Sequence, residues 1–321
     1  MFKHIAVVSL ALASVTAWAD EYPSRSVTLI VPFSAGGPTD VVARQLAMSM
    51  GKNLKQTVIV DNRPSAGGVV GSETVLRAPA DGYTLLIHNI GMSTLRALSP
   101  KLKFDPLKDF SYVGEVVDVP MTLVGKPALP PKNFRDLRGY LTTHQQSVNI
   151  SNAGVGTASH LCGLLLMSQL KLRLTMVPYK GAAPAMTDLQ GGQVDLLCDQ
   201  ITTTLQPIRA DRVQPYGTTT HQRLDSLPNL PTLNEQGLKD FEITVWHGIY
   251  APKNTPAPVL DRLSKALQAS LVDPAFRESM GKMGAMPVEA SRASPEGLER
   301  RLRSQVAIWT PLIEQSQAYL Q

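Results

Sequence analysis

Short apolar runs alternate with stretches of helical spacing along the first quarter of the chain. Val27–Val31 is a continuous apolar and β-branched run, which predicts a buried strand. Residues 40–50 place Val41, Val42, Leu46 and Met50 toward one side and predict a helix. Residues 58–60 predict a second strand and residues 71–77 a second helix. The Asp81-Gly82 turn then leads into a third strand over 83–87. This strand–helix–strand order implies a parallel sheet covered by helices.

The pattern recurs further on. Residues 121–124, 148–150, 176–179 and 194–197 read as strands, with helices over 161–170 and 184–190. Residues 127–131, bounded by prolines, predict a rigid surface connection. A helix is expected over 255–271, with proline in its tolerant first turn, and further helices rich in leucine and arginine run to the end. The expected fold class is therefore α/β, with two lobes joined by extended crossings near 112–121 and 243–251. Lobe one takes 20–121 and 247–321, and lobe two takes 122–246. Ligands of such sheets bind beyond the carboxyl ends of the strands, which here places a cleft between the lobes.

The N-terminus changes the picture of where this happens. Lys3, an apolar run over 5–13 and the small-residue end Ala17-Trp18-Ala19 have the three parts of a cleaved signal peptide, residues 1–19. The run is too short for a spanning helix, which needs about 20 apolar residues. The mature chain is expected outside the cytoplasm. Its length, about 300 residues, favours two domains. The net charge is +5, or +4 once Lys3 is removed, and the cations are scattered. That argues against nucleic acid and mildly favours anionic ligands. Cys162 and Cys198 suggest one disulfide in an oxidising compartment, with two buried free thiols as the alternative.

Three loops of small residues follow predicted strands. They are Phe33-Ser34-Ala35-Gly36-Gly37, Ser65-Ala66-Gly67-Gly68, and the loop from Ser151 and Asn152 through Thr157 and Ala158. A helix N-terminus after such a loop offers unpaired N–H groups and partial positive charge, suited to a carboxylate or phosphate. Asp199 ends a strand; it reads equally as an acceptor for a ligand ammonium or hydroxyl and as a cap. His88 is placed with the ligand-binding set. No HExxH, GxSxG or phosphate-loop motif occurs, and the run from Gly154 to Ser159 lacks the third glycine of a dinucleotide loop. A hydrolytic Ser159, His160 and Asp199 site could arise only by assembly in space. No enzyme activity, cofactor or metal is expected.

The segment from Tyr22-Pro23-Ser24-Arg25 through Pro32-Phe33-Ser34-Ala35-Gly36-Gly37-Pro38-Thr39-Asp40 resembles the opening of the Bug receptors, the periplasmic substrate-binding proteins of tripartite tricarboxylate transporters. Asp61-Asn62-Arg63-Pro64, Ala80-Asp81-Gly82-Tyr83, Val177-Pro178-Tyr179-Lys180-Gly181 and Gly191-Gly192-Gln193-Val194-Asp195 match later landmarks in order. The resemblance implies a type II periplasmic-binding fold that holds a carboxylate between the loops Phe33 to Gly37 and Ser65 to Gly68. Lobe two completes the pocket near Ile150 and Asp199. Ser65 departs from a common glycine and would bring a hydroxyl to that site. The implied ligands are dicarboxylates, aromatic carboxylates such as terephthalate, and acidic amino acids. The implied partners are inner-membrane transporter subunits, with the receptor itself a monomer. A sensing co-receptor would read the same.

Overall fold

The computed structural model describes residues 22–99 and 101–316. The expected signal segment lies outside them. The chain opens with β1 (Val27–Val31), α1 (Pro38–Leu54), β2 (Val58–Asn62), α2 (Val69–Leu76) and β3 (Thr84–Asn89), followed by a single turn, α3 (Leu95–Leu98). β2, β1 and β3 pair in parallel in that spatial order. α1 begins earlier than its apolar spacing predicts because Pro38 fits the first helical position, where no N–H is needed. It ends where Lys55 turns left-handed and its N–H closes on the carbonyls of Gly51 and Lys52.

A second α/β unit follows the long strand β4 (Phe110–Gly125). It contains α4 (Phe134–His144), β5 (Asn149–Asn152), α5 (Ala158–Leu170), β6 (Thr175–Pro178), α6 (Ala182–Gln190), β7 (Leu196–Gln200), α7 (Ile201–Arg209) and β8 (Gln214–Thr218). β7, β5 and β6 are again parallel. The chain returns through β9 (Thr244–Pro252) and closes with α8 (Ala257–Val272), α9 (Pro274–Lys282), β10 (Met286–Pro287) and α10 (Pro295–Ser316). α10 lies along β4, and its Trp309 and Ile313 share the lining of one apolar pocket with Leu161 and Leu164 of α5.

The two units are joined by one strand that changes partners. From Phe110 to Pro120, β4 pairs antiparallel with β9. From Met121 to Gly125 it pairs with β7 on one side and β8 on the other. The sequence shows only 121–124 of this strand as an apolar run, because Glu115 and Asp118 interrupt it. The structure supplies the reason that they are tolerated. Glu115 is fully buried and receives a two-pronged hydrogen bond from Arg292, whose other nitrogen lies 2.7 Å from Asp118. Burial pushes the Glu115 carboxyl up, and Arg292 offsets part of that. β4 shifts register between Glu115 and Val117, at the same place.

The apolar core covers both faces of the sheet, which is why β1 and the β4 segment after Pro120 are almost wholly buried. A smaller cluster under α6 and α7 joins Val124, Leu189, Leu197 and Ile208. Cys162 of α5 and Cys198 of β7 form a disulfide, with Cα atoms 6.1 Å apart and 36 residues between them in sequence. It ties the second turn of α5 to the middle of β7. Replacing both cysteines by alanine is expected to lower unfolding free energy by about 3–4 kcal/mol, the chain-entropy value for a loop of this length. Denaturant titration checks this, with the midpoint falling.

Candidate functional site

Four helix N-termini point at one small cavity between the units. Pro38 and Thr39 from α1, Ala158 and Ser159 from α5, Ala182 from α6 and Gln200 at the cap of α7 all line it. Phe33, Asn89, Ala153, Thr157 and Asp199 complete the wall. The cavity holds about 20 Å³. Each helix start carries unpaired N–H groups and partial positive charge, so the walls favour an anion although no lysine or arginine lines them.

The loop from Phe33 to Gly37 is shaped by one buried acid. Asp40 accepts the Gly36 N–H at 2.9 Å and Arg44 Nε at 2.9 Å. Its other oxygen accepts Asn62 Nδ2, which also reaches the Phe33 carbonyl. Burial alone would raise the Asp40 carboxyl; these partners hold it below the ordinary carboxylate value. Behind the cavity, Asn89 donates to the Thr39 hydroxyl, which lies 3.2 Å from His247 Nε2. Both cavity-facing side chains are thereby held in place.

The expected residues divide by position. Phe33, Thr157, Ala158 and Asp199 line the cavity. Ser34 sits beside it, covered by Gly181 of the opposite unit. Ala35, Gly36 and Gly37 form the turn into α1. Ser65 accepts the Val70 N–H with its hydroxyl, and Ala66, Gly67 and Gly68 form the turn into α2. His88 is buried beneath that turn. A Cβ at Gly68 would come within 2.6 Å of its ring, so His88 supports the loop from below. Burial lowers His88 to about 4, keeping it neutral. Ser151 donates to the Leu196 carbonyl, and Asn152 accepts from Gly154 N–H.

Sequence reasoning missed Asn89, Ala182 and Gln200 as wall residues; Pro38, Thr39, Ala153 and Ser159 belong to the small-residue loops and the helix starts that follow them. Applying the carboxyl-end rule to the third strand as well would have found Asn89. Ser159 accepts the Ala153 N–H at 2.7 Å, while His160 Nδ1 lies 3.4 Å from the Gly156 nitrogen. No hydrogen bond links Ser159 to His160 among the described residues. Burial lowers His160 to about 4. Among the described residues no group of side chains is placed to hold a metal ion, and no helix is long and apolar enough to cross a membrane.

The pattern of the tripartite tricarboxylate transporter family receptor, TctC, matches residues 42–317. The chain belongs to this family. The receptor is similar to the periplasmic binding protein BugD, at 46% identity and a TM-score of 0.90, over 92% of this chain and 99% of that one. It is similar to MatC from Rhodopseudomonas palustris with bound malate, at 34% identity and a TM-score of 0.88, over 91% and 100% of the two chains. A third structure, an R. palustris protein with adipate, is 30% identical with a TM-score of 0.88, over 92% and 99%. The fold is thus that of a two-lobed periplasmic binding protein, and the receptor is a solute-binding protein of that type.

The lobes of the receptor touch around the cavity. Thr94 donates to the Gly156 carbonyl at 2.8 Å, and Gly181 rests on Ser34. A Cβ at Gly181 would come within 2.1 Å of the Ser34 hydroxyl, and the backbone there has φ +147°, which side chains rarely adopt. Gly181→Ala is expected to weaken ligand binding about tenfold or more by obstructing this contact, while the protein still folds. Calorimetric titration beside a thermal unfolding scan checks both parts.

Asp199 is 1% exposed, and burial raises it to about 6, with the Thr203 hydroxyl at 2.6 Å offsetting part of the shift. A raised acid makes the folded state bind more protons, so its cost appears as pH rises from the unfolded value through about 6. Asp199→Asn is expected to stabilise the ligand-free protein above that pH by on the order of 3 kcal/mol. The gain should vanish below about pH 4. Urea titrations of both proteins across pH check this. The comparison cancels the buried histidines His88, His160 and His247, which are lowered and titrate in the opposite sense.

Proposed function

We propose that this receptor captures a small carboxylate in the periplasm and presents it to the inner-membrane subunits of a tripartite transporter. The observation that carries the reading is the convergence of four helix N-termini on a cavity whose walls hold no cation. An anion there is satisfied by backbone N–H groups and hydroxyls, at the helix ends where the dipoles favour negative charge. Malate and adipate in the two similar R. palustris structures agree with that chemistry.

On this reading the loops Phe33 to Gly37 and Ser65 to Gly68, with His88 behind them, present the first lobe's surface to the ligand. Ser151, Asn152, Thr157, Ala158 and Asp199 shape the second lobe's. The lobes divide as 20–121 with 247–321 and 122–246, a division supported by the change of β4 partners between Pro120 and Met121. Residues 1–19 direct export and are then removed, and the receptor acts as a monomer without cofactor. Closure is driven by contacts that exist only when both lobes meet the ligand, since an equilibrium moves only by differential affinity.

The test is thermal unfolding of the mature receptor against succinate, malate, aspartate, adipate and terephthalate. At least one acid is expected to raise stability by about 2.7 kcal/mol when present at a hundred times its dissociation constant. The corresponding amides and alcohols should have no effect. A panel in which every acid is inert would overturn the proposal.

A further inference from the structure

The sheet ends in an open strand. Among the described residues β2 pairs with β1 on one side and with no strand on the other. Two bonds bracket that pairing, from the Val27 N–H to the Thr57 carbonyl and from the Arg63 N–H to the Val31 carbonyl. The backbone of Thr57 and Arg63 therefore faces β1. Backbone groups of a strand alternate sides from one residue to the next, so the N–H and C=O groups of Val58, Val60 and Asn62 point outward. Edge strands are commonly blunted by lysine, proline or a bulge, because an open edge accepts another chain. Val58–Asn62 contains none of these, keeps an unbroken register with β1, and leaves Ile59 48% exposed.

A groove of about 780 Å³ adjoins this edge. Val58 and Val60 line it from β2, and Arg44, Met48 and Lys52 line it from α1, with Lys55 just past the helix end. None of its lining residues is acidic. Arg44 is held by Asp40 at 2.9 Å, and Lys52 lies 3.8 Å from Asp273. Lys55 makes no ion pair among the described residues. Met48 is exposed. An unpaired backbone edge thus lies beside a stripe of cation, apolar side chain and cation.

The spacing of that stripe identifies what fits it. Helix residues four apart are separated by about 6 Å along the axis. Alternate residues of an extended chain, which share one face, are separated by about 6.6 Å. A strand laid beside β2 therefore presents successive same-face side chains to Arg44, Met48 and Lys52 in turn. Acidic, apolar, acidic is the matching order.

We propose that the β2 edge is a docking site for an extended acidic segment of a partner protein, which adds to the sheet as a further strand. Its backbone pairs with the outward groups of Val58, Val60 and Asn62, and its acidic side chains meet Arg44, Lys52 and Lys55. Main-chain pairing supplies the affinity and the α1 stripe selects the sequence. None of these residues lines the cavity between the units, so this site is separate from cargo capture.

The test is fluorescence anisotropy of the mature receptor with a labelled synthetic peptide, in which threonine alternates with glutamate, valine and glutamate. This peptide should bind, and more weakly as salt is raised. The same peptide with lysine for glutamate should not bind. N-methylation of the backbone on the β2-facing side removes the donors and should abolish binding. Replacing Lys52→Glu and Lys55→Glu together should weaken the acidic peptide about tenfold or more. Val60→Pro removes an outward N–H and no bond to β1, a place where an edge strand tolerates proline, and should weaken binding in the same direction. Far-ultraviolet spectra and unfolding midpoints check that each variant is folded, and the N-methylated peptide asks the same question of the unaltered receptor. An acidic peptide that fails to bind would overturn the proposal. So would binding that survives N-methylation, which would mean charge attraction only. Binding to phosphatidylglycerol vesicles in place of the peptide would assign the patch to a lipid surface. Concentration-dependent dimerisation that Val60→Pro abolishes would assign the edge to a second copy of the chain. Either result would overturn the proposal too.

Discussion

The antiparallel pairing of β4 with β9 is the constraint on which the rest of the architecture depends. A buried strand must satisfy its N–H and C=O groups, so a chain segment leaving one sheet has to enter another without a gap. β4 does this within one residue, exchanging β9 for β7 and β8 between Pro120 and Met121. The two parallel sheets therefore share a spine rather than a flexible linker. Both sets of strand ends, and the helix starts that follow them, then face the same space.

That spine carries charge where a strand usually carries apolar side chains. Glu115 and Asp118 are held by Arg292 from the segment before α10, with Arg301 of α10 3.9 Å from each. Removing Arg292 would leave a buried carboxylate without its close partner, which is far more costly than the pair is stabilising. The cluster thereby fixes α10 against β4, and α10 in turn reaches α5 of the other lobe. The units also meet around the cavity, among other places at the Thr94 bond to Gly156 and the approach of Gly181 to Ser34.

Much of the fold is legible in the sequence because its strands are buried on both faces. Runs such as Val27–Val31 need no partner to be recognised. β4 is only partly legible, since Glu115 and Asp118 break the apolar pattern and their partner Arg292 lies 177 residues from Glu115. The candidate site shows the same division. Phe33, Thr157, Ala158 and Asp199 sit at the ends of recognisable strands or in glycine loops. Asn89 ends a recognisable strand as well, whereas Ala182 reaches the cavity through the pairing of distant elements. Ser65 illustrates the converse: a hydroxyl in a glycine loop suggests a ligand contact, and the folded chain shows it accepting the Val70 N–H.

The sequence by itself determined the α/β alternation, the glycine loops before helices, the paired cysteines and the family likeness, because each is written in residues close together or in order along the chain. Tertiary structure decided which helix starts converge and that they do so without a cation. It also decided that Asp199 ends up buried among neutral side chains, for burial and charge environment are set by what packs from the other lobe. The readings of Asp199 as cap and as acceptor look alike in one dimension. In the fold Asp199 both accepts the Thr203 hydroxyl of α7 and lines the small volume around which α1, α5, α6 and α7 gather.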